Sequence, residues 1–254
     1  MDNDVSKLFS AEKQKKLYPI SADKFFNKTK VSALNLSIMK SIVNDNVTSL
    51  NGKNELNILD WGCGNSLWAF ALFPGAFITG VDSSKDNLNF SKINAKKNDA
   101  EDKFTGLLYN RDIKKMKQAS FDHSMAFGLI ELVSEKIFNL IFSKIYTLLK
   151  PGGKLFITHY NYRPISAVYL PWFIRGGYKT YKKHMGIDIQ KKRTKEVIND
   201  FKNIGYICID SGGFCPYPMK FWPLVFSDKA YMTRNPLIKE WYYSQFIVLQ
   251  KPYK

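Results

Sequence analysis

Asp60-Trp61-Gly62-Cys63-Gly64 closes a short apolar run and opens a helical one. Glycines two apart let a backbone turn sharply and come close to a ligand. Asp82 ends the next apolar run, 20 residues beyond Gly62. A carboxylate at that place accepts hydrogen bonds from both hydroxyls of a ribose. Nicotinamide-binding folds share this pair, but their pattern has a third glycine at position 67, where this chain has Leu67. A tight strand–helix turn with no ligand is the alternative reading. Three histidines offer proton chemistry. His123 falls inside an apolar run and reads as structural. His159 ends another run and reads as a base, as a group that orients an acceptor, or as a histidine held by structural hydrogen bonds alone. His184 stands among lysines and faces either an acceptor or solvent.

The elements that must position these groups follow from periodicity. Val31, Leu34, Ile38 and Ile42 recur at helical spacing, with Thr29 as a candidate N-cap, and residues 1–50 read as two helical pieces. Strands are expected over 55–60, 76–81, 104–109, 121–127, 154–160, 206–210 and 244–250, seven in all. Helices are expected over 67–72, 84–98, 130–149 and 194–204, with Lys150-Pro-Gly-Gly153 as a turn. Strands alternating with helices imply a parallel sheet covered on both faces. The segments 161–191 and 213–242 interrupt this rhythm, and loops of that length inside a domain usually have a task.

Together, four tracts resemble the class I S-adenosylmethionine-dependent methyltransferase family. They are Asn57-Ile-Leu-Asp-Trp-Gly-Cys-Gly64, Gly80-Val-Asp82, Phe121-Asp122 leading to Phe127-Gly-Leu-Ile-Glu131, and Leu149-Lys-Pro-Gly-Gly153. The resemblance is strongest over 55–160. Ser66 departs from it, standing where many relatives carry another glycine. The resemblance implies an α/β, Rossmann-like, doubly wound seven-stranded sheet, mostly parallel with an antiparallel last strand, in one domain spanning 1–254. It implies S-adenosyl-L-methionine as cofactor and S-adenosyl-L-homocysteine as product. Asp60, with the turn Gly62, Cys63 and Gly64, is then expected at the methionine end. Asp82 is expected at the ribose, with Ser83, Asp112 and Ile113 around the adenine. Phe127 and Gly128 are expected beside the sulfonium. Glu131 stands where many small-molecule relatives carry Glu or His near the pocket. Its alternative is a carboxylate placed for the dipole of the following helix. His159, Glu131 and His184 are thus the catalytic candidates.

In open parallel sheets, ligands sit beyond the carboxyl ends of the strands. The segments 161–191 and 213–242 are therefore expected to form a lid, with 1–50 as a helical cap. The two lid segments hold 14 aromatic residues in 61 positions, against 15% aromatic in the whole chain. Such a lid suits a flat or apolar acceptor, with Tyr160, Trp172 and Trp222 as expected contacts. Rings that merely pack the insertions down are the alternative.

Charge and composition narrow the partners. The chain has 254 residues, 45% of them apolar, enough for a buried core. Lys and Arg number 38 against 22 Asp and Glu, for a formal charge of +16. Residues 161–202 alone carry ten basic against three acidic side chains, beside Tyr169-Leu-Pro-Trp-Phe-Ile174. Aromatics beside basic residues suit a peripheral contact with an anionic membrane. They equally suit nucleic acid, with bases stacked on rings, or form a solvated face. Cys63, Cys208 and Cys215 build no disulfide framework, and no metal-ligand cluster stands out. No apolar run reaches 18 residues, and Met1-Asp-Asn-Asp4 lacks a signal-peptide layout, so a cytoplasmic chain is expected.

Two enzymatic readings follow. One is methyl transfer to a small, apolar, aromatic or lipid-like acceptor by in-line displacement. The other is methylation of RNA docked on 161–202. Against RNA, the Asn/Asp-Pro-Pro-aromatic motif of base-nitrogen enzymes is replaced here by Phe127-Gly-Leu-Ile130, and no cysteine stands near strands four or five. A non-enzymatic binding subunit is the third reading, and the intact Asp60, Gly62, Gly64 and Asp82 count against it. The acceptor atom and oligomeric state stay open.

Overall fold

The apolar run Asn57–Trp61 forms β1, with four of its five residues buried. It lies between β2 (Phe77–Asp82) and β4 (Phe121–Phe127), parallel to both. A strand covered on both faces can be apolar throughout, and Ile58, Leu59 and Trp61 are each no more than 2% exposed. The structure is a computed structural model that describes residues 24, 27, 30–47, 55–160, 192–214, 232–236, 239, 242 and 244–253.

The order of elements is α1 (Lys30–Asn46), β1, α2 (Leu67–Leu72), β2, α3 (Lys85–Lys97), β3 (Phe104–Leu108), α4 (Tyr109–Asp112), β4, α5 (Glu135–Leu148), β5 (Leu149–Tyr160), α6 (Thr194–Ile204), β6 (Ile207–Phe214), β7 (Met232–Thr233) and β8 (Ser244–Gln250). The hydrogen-bonded strand order is β3-β2-β1-β4-β5-β8-β6-β7. The last strand, β8, runs antiparallel to β6, as expected.

Two compact units share the chain: Met1–Ala126 with Thr147–Leu155, and Phe127–Tyr146 with Phe156–Lys254. In the first, α1 buries Ile38, Met39, Ile42 and Val43, one stripe of an amphipathic helix. Asp122 at the start of β4 accepts the Asn57 N–H (2.9 Å) and the Lys150 ammonium (2.5 Å). That ties Phe121-Asp122 and the Lys-Pro-Gly-Gly tract into the sheet, so this tract lies within β5 rather than forming the expected turn. His123 accepts the Lys154 N–H on Nδ1 at 3.3 Å, a structural role.

In the second unit, α5 and α6 meet through rings. Phe138, Phe142 and Phe201 have centroids 4.6–5.0 Å apart. Tyr206 stacks edge-on against Phe201 and Tyr146, and its hydroxyl donates to the Phe142 carbonyl at 3.2 Å. The Arg193 N–H donates to Glu196 at 2.7 Å and caps the start of α6.

Among the described residues the sheet has eight strands, the expected seven and the two-residue β7, which pairs with the end of β6. β6 also runs four residues past Asp210. Ser211-Gly212-Gly213 reads as a loop in sequence, yet a Cβ on Gly212 would meet the Thr233 carbonyl at 2.4 Å and the Phe246 ring at 2.5 Å. Glycine is needed there for close strand approach, not for a turn. Phe214, counted with the lid, is a buried strand residue. Thr29, the 161–191 segment and most of 213–242 lie outside the described residues, as do His184, Trp172 and Trp222. Among the described residues no helix is long and apolar enough to cross a membrane.

Candidate active site

The first unit builds a polar turn where β1 gives way to α2. Gly62 and Gly64 sit at φ 73° and 52°, in the left-handed region that favours glycine. The turn is held from inside: the N–H groups of Gly62 and Cys63 donate to the Val81 carbonyl at 2.8 and 3.1 Å. The Gly64 N–H donates to Asp82 Oδ2 at 3.0 Å. Asp82 Oδ1 also takes the Ser84 N–H (2.8 Å) and the Asn87 amide (3.2 Å). The expected ribose acid is therefore also the clasp that closes the turn. The Gly62 and Gly64 N–H groups, expected at the methionine end, are engaged within the turn.

Ser66 has φ 55°, a left-handed conformation that explains the glycine of relatives at this place. Its hydroxyl meets Ser91 Oγ at 3.2 Å, and Ser91 in turn donates to the Gly64 carbonyl at 2.9 Å. Asn94 donates to the Asn65 carbonyl at 3.0 Å. The sequence reading missed this support from α3. Its signal was three polar residues, Asn87, Ser91 and Asn94, at helical spacing on the buried face.

Asp60 is 4% exposed. Burial pushes its carboxyl up to about 7; the Ser66 hydroxyl relieves part of this, and the nearby Asp82 charge adds to it. Burial also raises Asp82, against the pull of its N–H donors. Two acids thus stand close together, and a cationic group would relieve both. Among the described residues, a Cβ on Gly64 would meet nothing within 4 Å, which leaves space beside the turn. These features fit the ammonium and ribose ends of S-adenosyl-L-methionine. Cys63 is buried and its thiol is pushed well up by that burial, so it is inert.

Of the adenine candidates, Ser83 is exposed and Ile113 half-buried. Asp112 accepts the Arg111 guanidinium at 2.9 Å and the Leu108 N–H at 3.0 Å. The Arg111 side chain holds its carboxyl below the usual range.

The second unit holds a different arrangement. Gly128, at φ 62° just past β4, donates its N–H to Thr158 Oγ1 at 3.1 Å, and Phe127 before it is half-buried. Glu131, 3% exposed, lies in a 3-10 turn that precedes α5. Its Oε1 accepts the Tyr160 N–H at 2.5 Å, while its Oε2 is buried and, among the described residues, has no hydrogen-bond partner. Burial pushes this carboxyl up to about 7, and the Tyr160 N–H offsets only part of that. His159, also 3% exposed, places Nδ1 3.8 Å from Glu131 Oε1 and Nε2 3.1 Å from Thr194 Oγ1. Burial drives the imidazole down to about 3, so it is neutral at pH 7 and the contact is not an ion pair. Tyr160 is 38% exposed. The structure therefore brings Glu131, His159 and Tyr160 together. Thr194 completes the cluster, 35 residues from His159, and no local pattern in the sequence announces it.

A family model described as a methyltransferase domain matches residues 52–202. A ubiquinone biosynthesis O-methyltransferase of Bartonella tribocorum is 28% identical over 172 residues, 63% of this chain and 66% of that protein. A protein of the same description from Coxiella burnetii is 35% identical over 117 residues, 44% of this chain and 46% of its own. The chain thus spans less than two thirds of the length of either relative. In fold, it is similar to a magnesium protoporphyrin IX methyltransferase from Synechocystis solved with bound SAH. The TM-score there is 0.61 at 12% identity, covering 98% of this chain and 99% of that one.

Proposed function

The chain belongs to the class I S-adenosylmethionine-dependent methyltransferases, and on that premise we propose that it methylates a hydroxyl of a small apolar, aromatic or lipid-like molecule. The observation that carries this reading is Glu131, a buried carboxyl whose pKa is pushed up to about 7 and one of whose oxygens is unpartnered among the described residues. When bound, S-adenosyl-L-methionine supplies a methyl group on a sulfonium that leaves as a neutral thioether. Asp60 would hold its ammonium and Asp82 its ribose, with Ser83, Asp112 and Ile113 at the adenine.

A hydroxyl is a poor nucleophile until its proton is leaving. With the donor bound, Glu131 Oε2 would take the proton that the acceptor hydroxyl loses on attack, the thioether leaving as a neutral group. The proton then passes to solvent. His159, neutral and already engaged at Nε2, orients Glu131 and is not the base. Tyr160 contacts the acceptor. The names of the two curated relatives, both O-methyltransferases of ubiquinone biosynthesis, support an oxygen acceptor with apolar character.

The test is turnover of a panel of phenols, with and without alkyl chains, using donor labelled on its methyl group. Glu131→Gln should lower kcat by about 10²–10⁴-fold and leave donor affinity unchanged. A Glu131→Gln enzyme as active as the parent would remove Glu131 from this role.

A further inference from the structure

We propose that Asn87 is a positioning residue of the cofactor site: its amide competes with a ribose hydroxyl for Asp82 Oδ1 and turns aside for that hydroxyl to be held. The inference rests on the reading of Asp82 as the ribose acid.

An ionised carboxylate offers about four acceptor positions, two on each oxygen. Among the described residues, Asp82 Oδ1 takes the Ser84 N–H at 2.8 Å and the Asn87 amide at 3.2 Å, which fills both of its positions. Oδ2 takes the Gly64 N–H at 3.0 Å. The Ser83 N–H pulls on the same carboxylate. At most one position is left, whereas the two hydroxyls of a ribose need two. One of the protein's own N–H groups must therefore yield for both hydroxyls to be held.

The backbone groups are poorly placed to yield. The Gly64 N–H belongs to the turn, whose Gly62 and Cys63 N–H groups are fixed on the Val81 carbonyl. The Ser84 N–H belongs to the N-cap of α3, and moving it undoes the start of that helix. Of these groups only Asn87 uses a side chain, which turns about two single bonds and leaves the backbone in place. Its backbone N–H stays on Ser84 Oγ at 3.3 Å. The direction of the amide is settled as well. An NH2 group only donates, and the reverse orientation would set a carbonyl against a carboxylate.

The other end of the amide, Oδ1, is buried and, among the described residues, has no hydrogen-bond partner. Asn87 is 2% exposed, so this carbonyl has lost water without a replacement. A side chain satisfied at one end only is the least costly of these groups to move. A residue that braces Asp82 weakens cofactor binding when it is cut back. A residue that competes with the ribose strengthens it, and only for ligands that carry the hydroxyls.

Calorimetry with S-adenosyl-L-homocysteine and its 2′,3′-dideoxy analogue separates the two roles. The parent should bind the analogue more weakly than S-adenosyl-L-homocysteine. Asn87→Ala should bind S-adenosyl-L-homocysteine about three- to tenfold more tightly than the parent does, and the analogue with parent affinity. Asn87→Ser, whose side chain is shorter than that of asparagine by one bond, should behave in the same way. Circular dichroism shows whether each variant is folded. Weaker binding of both ligands by the folded variants would mean that Asn87 braces Asp82, and parent affinity for both would mean that nothing competes; either result overturns the proposal. Equal binding of the two ligands by the parent would instead remove the ribose reading of Asp82, and the proposal with it, before any variant is made.

Discussion

The glycine turn of the first unit and the Glu131 cluster of the second each hold a buried carboxyl near 7, for different reasons. Asp60 is raised by burial and by a second acid, Asp82, and is relieved only by a hydroxyl. What it lacks is a cation. Glu131 is raised by burial alone, beside a neutral histidine, with one oxygen unpartnered among the described residues. What it lacks is a proton or a donor. On the proposed reading, the same perturbed acidity serves binding in one place and proton transfer in the other. The surrounding groups, not the value, separate the two roles.

Breaking the first region should have the larger effect on binding. Asp82→Ala removes both the proposed ribose acceptor and the clasp on the Gly64 N–H. Donor affinity should fall about 100-fold, read by calorimetry, in a variant whose circular dichroism is unchanged. Equal affinity in the folded variant would remove the ribose assignment.

The second region is separable through stability. The ordinary His pKa is near 6.5, and folding lowers that of His159 to about 3. Its contribution is present above pH 6.5 and is lost as pH falls toward 3. From pH 7 to 5 the parent should lose on the order of 1–2 kcal/mol that His159→Gln does not lose. Urea titrations at the two pH values measure this. Parallel losses would mean that His159 is not held neutral.

The smallest effect sharpens the comparison most. At pH 7, Asp60 is about half protonated. Binding a cation beside it should release about half a proton per donor bound. Calorimetry in buffers of different ionisation enthalpy counts it. Asp60→Asn should release none, whereas Glu131→Gln should behave like the parent.

The two regions also differ in how far the sequence disclosed them. The glycine turn is contiguous and Asp82 closes the following strand, so local pattern was enough to place both. Its support from Ser91 and Asn94 was hidden, because polar residues on a helix read as solvent-facing until the packing is known. Glu131 and His159 were visible as single residues at strand ends, but their contact was not. Thr194 could not be read at all, since its partner lies 35 residues away across a segment of no regular pattern. In the fold, β1 to β4 and β8 followed periodicity closely. β6 was truncated because paired glycines signal a turn unless a neighbouring strand excludes side chains.

The most direct measurement follows the methyl group. Donor labelled on its methyl is incubated with the purified protein and lysate from cells lacking it. The products are divided into organic-soluble, water-soluble small-molecule, nucleic-acid and protein fractions. Label in the organic-soluble fraction, recovered as a methyl ether, is the expected result. Label confined to nucleic acid or protein, or attached to nitrogen or carbon, would contradict transfer to a small apolar hydroxyl.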